Sequence, residues 1–177
     1  RVPAGDGGTV LVVGAGPAGL EAAMTLGRRG FTVALLEASA EPGGRVSVES
    51  RLPGLAEWGR VRDYRVGQIK RMKNVSVYLG SRLRAADVRD FGADHVLIAT
   101  GARWRSDGRC RSCAGGIGDL DADRVFTPDD LMEGRVPGGK VTVFDDDDHY
   151  MGAVLSLLLA RNGAEVSYVT AQGVAAS

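Results

Sequence analysis

The sequence predicts an α/β fold made of βαβ units, one complete and a second that is degenerate. Three observations predict it. Val10-Leu-Val-Val-Gly14-Ala15-Gly16-Pro17-Ala18-Gly19-Leu20-Glu21 reads as a strand, a glycine turn and a helix, and Val33-Ala-Leu-Leu-Glu37 follows as a strand with an acidic end. Ala93-Asp-His-Val-Leu-Ile-Ala-Thr100-Gly101 reads as a buried strand closed by a glycine turn. Residues 141–144, 150–162 and 165–170 then repeat the strand–helix–strand order. Parallel strands require helical crossovers of this kind.

Residues 1–8 form a polar, glycine-rich lead-in, and the first unit fills residues 9–37. Gly14 permits the tight turn out of the strand, and Gly16 has no side chain to hold a pyrophosphate away from the backbone. Gly19 lets the helix lie close on the sheet. Pro17 suits the first helical position, where its missing N–H costs nothing. Leu20, Ala23, Met24 and Gly27 recur at helical spacing as the sheet-facing side. Arg28 and Arg29 suit the last turn, and Gly30 closes the helix. The start of such a helix offers N–H groups and partial positive charge to a phosphate.

Glu37 follows Gly14 by about twenty positions, the spacing of an acid that accepts hydrogen bonds from ribose hydroxyls. A carboxylate there repels a 2′-phosphate, so the site favours FAD, ADP or NAD over NADP. An ordinary glycine turn before a charged strand end explains the pattern poorly, because spacing, flanking strands and acid all agree.

Next, Glu41-Pro42-Gly43-Gly44-Arg45 is a turn whose glycines let backbone N–H groups approach a phosphate. Residues 57–73 read as a helix with Trp58, Val61, Tyr64 and Met72 facing inward and a solvated basic face opposite. Residues 75–79 alternate like a strand, and residues 102–126 are loop-like. Thr127-Pro128-Asp129-Asp130 has the form of a capped helix start. These elements divide the chain into a nucleotide-binding domain over 1–105, a connecting segment over 106–137, and a truncated second βαβ domain over 138–177.

Composition excludes several other classes. Twenty-two basic and 22 acidic residues balance, so no general attraction to nucleic acid or membrane follows. With 44% hydrophobic and 25% charged residues, the chain has a soluble globular composition, and no apolar run reaches spanning length. Two cysteines and no signal peptide fit a cytoplasmic setting. A start at Arg1 and an end just after a strand suggest a piece of a longer polypeptide.

The residues also carry a family likeness. Gly14-Ala15-Gly16-Pro17-Ala18-Gly19, Glu37, Pro42-Gly43-Gly44-Arg45 and Ala99-Thr100-Gly101 occur in the order found in flavoproteins of the glutathione-reductase type, whose Rossmann-like nucleotide domain this chain resembles. Leu52-Pro-Gly-Leu-Ala-Glu-Trp58, Arg62-Asp-Tyr64-Arg65 and the run from Gly92-Ala-Asp94 to Trp104 narrow the resemblance. They are similar to the C-terminal half of trimethylamine dehydrogenase-type iron–sulfur flavoproteins, which include dimethylamine and histamine dehydrogenases. The resemblance implies an N-terminal barrel with FMN, a 4Fe–4S cluster, ADP or FAD in the domain represented here, and a homodimer. It further implies oxidation of an amine, with electrons passed to an electron-transferring flavoprotein. Barrel and cluster ligands are absent from the sequence, so it assigns no catalytic residue and no metal ligand.

The second unit separates this branch from reductases of the 2,4-dienoyl-CoA type, which are similar but take NADPH there. That role needs a glycine turn after residue 144, and the chain instead has Asp145-Asp146-Asp147-Asp148-His149-Tyr150-Met151-Gly152. A phosphate beside a carboxylate costs about 1 kcal/mol in water and about 4 kcal/mol near a protein surface. The unit is therefore expected to keep its fold without a dinucleotide, its acids solvated, with a hard-cation site as a minor option. A purely structural ADP-binding module remains a further alternative.

Other residues carry weaker signals. Cys110-Arg-Ser-Cys113 has no second pair or nearby His, so it reads as two free thiols. His95 reads as a core or sheet-face residue, and nothing places a substrate beside His149. Arg45 is a candidate phosphate partner, with Arg62 as a further functional candidate, and Trp58 a candidate wall of the pocket. By the resemblance, Leu79 and the glycine after it offer backbone to adenine. The candidate site thus comprises Gly14 to Gly19, Glu37 with Ala38, Gly44 with Arg45, Trp58, Leu79, and Thr100 with Gly101.

Overall fold

Short runs of β-branched and leucine residues, each ending at a glycine or polar turn, set the strand lengths. The computed structural model describes residues 7–112 and 115–173; residues 1–6 of the lead-in and Cys113 lie outside them. The chain divides into two units, Arg1–Arg51 with Leu55–Gly101 and Leu52–Gly54 with Ala102–Ser177.

In the first unit, β1 (Thr9–Val13) leads through α1 (Pro17–Arg28) to β2 (Thr32–Leu36). Then follow α2 (Arg45–Glu49), a 3-10 turn (Ala56–Trp58), α3 (Gly59–Ile69), β3 (Val75–Tyr78), α4 (Ala85–Asp90) and β4 (His95–Ile98). The four strands are parallel in the order β3-β2-β1-β4. Val13 pairs with Leu36 and Ile98, and Leu36 with Tyr78, so all four carboxyl ends finish level. That edge is where open parallel sheets receive ligands.

Val10, Val12, Val33 and Leu35 pack with Leu20 and Met24 of α1 into the core. Each such side chain contributes about 1.5–3 kcal/mol on burial. The buried residues of α1 are Gly19, Leu20, Ala23, Met24 and Gly27, which includes the predicted face.

Three expectations are corrected here. The helix predicted over 57–73 is shorter, and Tyr64, expected inside, is 53% exposed with its hydroxyl accepting a hydrogen bond from Arg28. Met72 packs against the core as predicted, and Val66 and Ile69, at three-residue spacing before it, supply the rest of the inward face in place of Tyr64. The strand near residue 96 lies at the sheet edge and is exposed along its four residues rather than buried, which leaves His95 the sheet-face reading and not the core one. The basic face of α3 is solvated as expected at Arg60, which pairs with Glu57 in the open, but Arg62 and Arg65 are partly covered and pair with Asp63 and Glu21.

The second unit holds a 3-10 turn (Ala122–Arg124), α5 (Pro128–Met132), β5 (Lys140–Asp145), α6 (Tyr150–Arg161) and β6 (Glu165–Thr170). Thr127 and Asp130 form the expected cap: the Asp130 carboxylate accepts the Thr127 N–H at 2.7 Å, and Asp130 N–H donates to Thr127 Oγ1 at 3.3 Å. β5 and β6 pair in parallel, joined by α6, whose Met151, Leu155 and Leu159 are buried at helical spacing. Among the described residues, no helix is long and apolar enough to cross a membrane.

Candidate functional site

The glycine turn after β1 is closed by packing at two points and open at the third. Gly14 has φ 100°, and a Cβ there would lie 2.4 Å from the Ala99 carbonyl oxygen and 3.1 Å from Thr100 Cα. A Cβ on Gly19 would lie 1.8 Å from the Gly14 carbonyl oxygen. Both are excluded by backbone rather than by mobile side chains. A Cβ on Gly16 would meet nothing within 4 Å. The space beside Gly16 is therefore where a ligand can approach the backbone.

Around that space the sequence-predicted residues converge. Gly16 is the N-cap of α1, Pro17 opens the helix, and no acid lies in its first turn. Its N-terminal N–H groups and dipole therefore favour an anion. Gly43 N–H donates to the Ala15 carbonyl at 2.7 Å, and a Cβ on Gly44 would come 3.1 Å from Gly16 Cα. The two glycine turns thus lie against one another. Thr100 and Gly101 follow β4, where Ala99 N–H donates to the Val13 carbonyl at 2.8 Å.

Glu37 turns its carboxylate back onto the first glycine turn. Its Oε2 accepts Ala15 N–H at 2.6 Å, and its Oε1 accepts Ser39 N–H at 2.9 Å. Ser39 Oγ lies 2.7 Å from the same Oε1. Partial burial pushes this carboxyl up, but the hydrogen bonds from Ser39 and Ala15 outweigh burial and hold it below its ordinary value. Ala38 is exposed between Glu37 and Ser39. Gly80 N–H donates to the Ser39 carbonyl at 2.8 Å, which joins this loop to the end of β3.

Arg45 opens α2 directly after Gly44, its Nε 4.0 Å from Glu49 Oε1. Leu79 lines an apolar cavity of about 240 Å³ with Leu20, Pro42, Val66, Ile69 and Val77. Trp58 ends the 3-10 turn, is 36% exposed, and is not among the residues lining that cavity.

Sequence reasoning passed over two residues that shape the site, Ser39 and Ser47, and it named Gly43 and Arg62 without their contacts to Ser47. Ser47 Oγ donates to the Pro42 carbonyl at 3.1 Å and accepts from Arg62 Nη1 at 3.1 Å. Gly43, at φ 118°, would place a Cβ 2.1 Å from Ser47 Oγ. A serine two positions after the strand-end acid was the available signal for Ser39, because such hydroxyls bond to nearby backbone and side chains. The links to Ser47 and Arg62 depend on tertiary packing and leave no local pattern.

In the second unit, the acidic run is not uniformly solvated as expected. Asp145 is 5% exposed. Its carboxylate accepts the N–H groups of Asp147 at 3.1 Å and Asp148 at 3.2 Å, together with the Tyr168 hydroxyl. A Cβ on Gly152 would lie 2.7 Å from the Asp145 carboxyl carbon, so the acid is packed against the start of α6. Asp146 accepts the backbone N–H groups of Arg111 and Ser112. Among the described residues, no group of three or more His, Cys, Asp or Glu is placed to hold a metal ion. Cys110 is half-buried.

Fold and site together define a Rossmann-type nucleotide-binding protein of the FAD/NAD class. The chain belongs to the pyridine nucleotide-disulphide oxidoreductase family, whose model matches residues 8–125. It is homologous to dimethylamine dehydrogenase of Hyphomicrobium sp. (strain x), with 38% identity over 175 residues, covering 94% of this chain and 24% of that protein. Histamine dehydrogenase from Rhizobium sp. 4-9 superposes with a TM-score of 0.91 at 48% identity, over 97% of this chain and 27% of the other. The 6-hydroxypseudooxynicotine amine oxidase of Pseudomonas geniculata N1 gives 0.92 at 51% identity, over 96% and 26%. The chain spans about a quarter of the length of these relatives.

Proposed function

We propose that this chain is the ADP- or FAD-binding portion of an iron–sulfur flavoprotein that oxidises an amine. The observation that carries the reading is the open space at Gly16, with α1's N-terminus, Glu37 and the Gly43–Gly44 turn around it. Those residues fit a pyrophosphate-linked adenosine. Backbone N–H groups near Gly14 to Gly19 and Gly44 would hold the diphosphate, Arg45 would add charge, and Glu37 with Ala38 would meet the ribose. Leu79 and the apolar cavity beside it would face the adenine, with Trp58, Thr100 and Gly101 on the rim. Residues 1–105 would form this domain, 106–137 the connection, and 138–177 a second βαβ domain without a dinucleotide.

The amine-oxidising relatives support the wider assignment. FMN and a 4Fe–4S cluster would lie in the remainder of such a protein and would supply its redox chemistry. An electron-transferring flavoprotein would accept the electrons, from a homodimer in the cytoplasm.

The test is to purify the full-length protein, release its non-covalent nucleotide with acid, and identify it by mass. ADP or FAD is the expected product. A flavin bleached directly by NADPH would instead establish a reductase and overturn the amine assignment.

A further inference from the structure

Ser39 lies outside the glycine turns, yet it makes closer contact with the Glu37 carboxylate than any fingerprint residue except Ala15. Its N–H reaches Oε1 at 2.9 Å and its Oγ lies 2.7 Å from the same oxygen. The hydroxyl is also 2.9 Å from the Glu41 carbonyl. It has one proton to give, and the charged acceptor attracts it more strongly. Ser39's own carbonyl accepts Gly80 N–H at 2.8 Å, so the residue is fixed to the β3 end rather than swinging with the loop.

We propose that Ser39 is a positioning residue that orients Glu37 for the adenosine ribose. The assignment rests on the reading of Glu37 as the ribose acid. Each carboxylate oxygen can accept two hydrogen bonds. With both Ser39 donors on Oε1 and Ala15 N–H on Oε2, Oε1 is fully used to hold the group in place, and the remaining acceptor site, on Oε2, is held in one orientation for a ribose hydroxyl. Without the hydroxyl, Oε1 keeps one donor, and the carboxylate gains freedom to rotate away from the ligand.

The Ala15 and Ser39 donors on this carboxylate are neutral. Glu41 and Arg45 lie in the β2–α2 connection, and Tyr78 and Arg82 at the end of β3. Glu21 of α1 is paired with Arg65. The glycine turn itself has no titratable side chain. Ser39 thus also favours the ionised form, which extends ribose binding to lower pH. Affinity that needs the carboxylate is present above its folded value and is lost as pH falls through it. Removing a donor that lowers that value moves the loss upward.

The experiment measures ADP affinity in nucleotide-stripped full-length protein between about pH 4 and 8, for the wild type, S39A, S39T, E37Q and the S39A/E37Q pair. ADP's own phosphate titration is common to every curve and cancels in the ratios. S39A is expected to weaken binding about threefold at neutral pH and raise the acid midpoint by about half a unit. S39T should restore both, and S39A should have no effect in the E37Q background. A uniform loss with an unmoved midpoint, or an equal loss in the E37Q background, overturns the role of Ser39. Failure of the wild type to take up ADP or FAD overturns the ribose reading beneath it.

Discussion

The Tyr168 hydroxyl donates a hydrogen bond to the Asp145 carboxylate, tying β6 to the last residue of β5. Two backbone N–H groups from the following turn satisfy the same acid. In the first unit the corresponding place, after β1, is a glycine turn with open space at its second glycine. The second unit has a side-chain anion where the first leaves room for one from outside. Its turn is thus satisfied internally, by Tyr168 and by the N–H groups of Asp147 and Asp148.

Asp145→Ala should destabilise the second unit by about 1–3 kcal/mol, because a hydroxyl and two N–H groups lose their acceptor. Tyr168→Phe removes one partner and should cost about 1 kcal/mol. The double variant should cost less than the sum, since both changes break the same hydrogen bond. Urea unfolding midpoints measure all three, and strict additivity would refute the coupling.

Gly16 and Gly19 should respond oppositely to an added side chain. Gly19→Ala forces a Cβ to 1.8 Å from a backbone oxygen, so melting should fall by several degrees, about 1–3 kcal/mol of overpacking. Gly16→Val adds its side chain to open space, so stability should hold while ADP affinity falls at least about tenfold. Thermal melting and nucleotide titration on the same two variants separate packing from binding.

Local chemistry made most of the first unit legible. Glycines at 14, 16 and 19, Pro17 and the alternating apolar strands determine their own backbone, and they appear where the pattern places them. Thr127 and Asp130 are legible for the same reason, because a capping box is a contact across three residues. Tyr64 and β4 were misread because burial is a tertiary property: an aromatic on a helix can face out, and an apolar strand can lie at an edge. Asp145 was misread among its acidic neighbours because its partner Tyr168 is distant in sequence. The helices α2 and α4, of 5 and 6 residues, are too short for a periodic signal.

Asn74 pins the end of α1 to β3. Its Nδ2 donates to the Gly27 carbonyl at 2.9 Å and the Phe31 carbonyl at 2.8 Å. Asn74→Ala should cost about 1–3 kcal/mol by leaving both acceptors without this donor. Asn74→Asp should cost more, since a carboxylate has no proton to give and faces two carbonyl oxygens. Chemical denaturation that ranks the aspartate variant as the more stable would refute this geometry.

Asp94 should shape the acid limb of stability. Its Oδ2 accepts Thr9 N–H at 2.7 Å and Thr9 Oγ1 at 2.8 Å, joining the start of β4 to that of β1. The Thr9 backbone bond, then its hydroxyl, outweigh desolvation and hold the carboxyl below its ordinary value of 3.8. The unfolded chain therefore takes up a proton before the folded one as pH falls. The contribution is fully present above 3.8 and is lost as pH drops through the lower folded value. Asp94→Asn removes the titrating group, so the stability gap between wild type and variant should be widest at neutral pH and narrow below about pH 4. Unfolding midpoints collected across that range decide the point, and a gap that stays constant with pH would show that Asp94 titrates alike in both states.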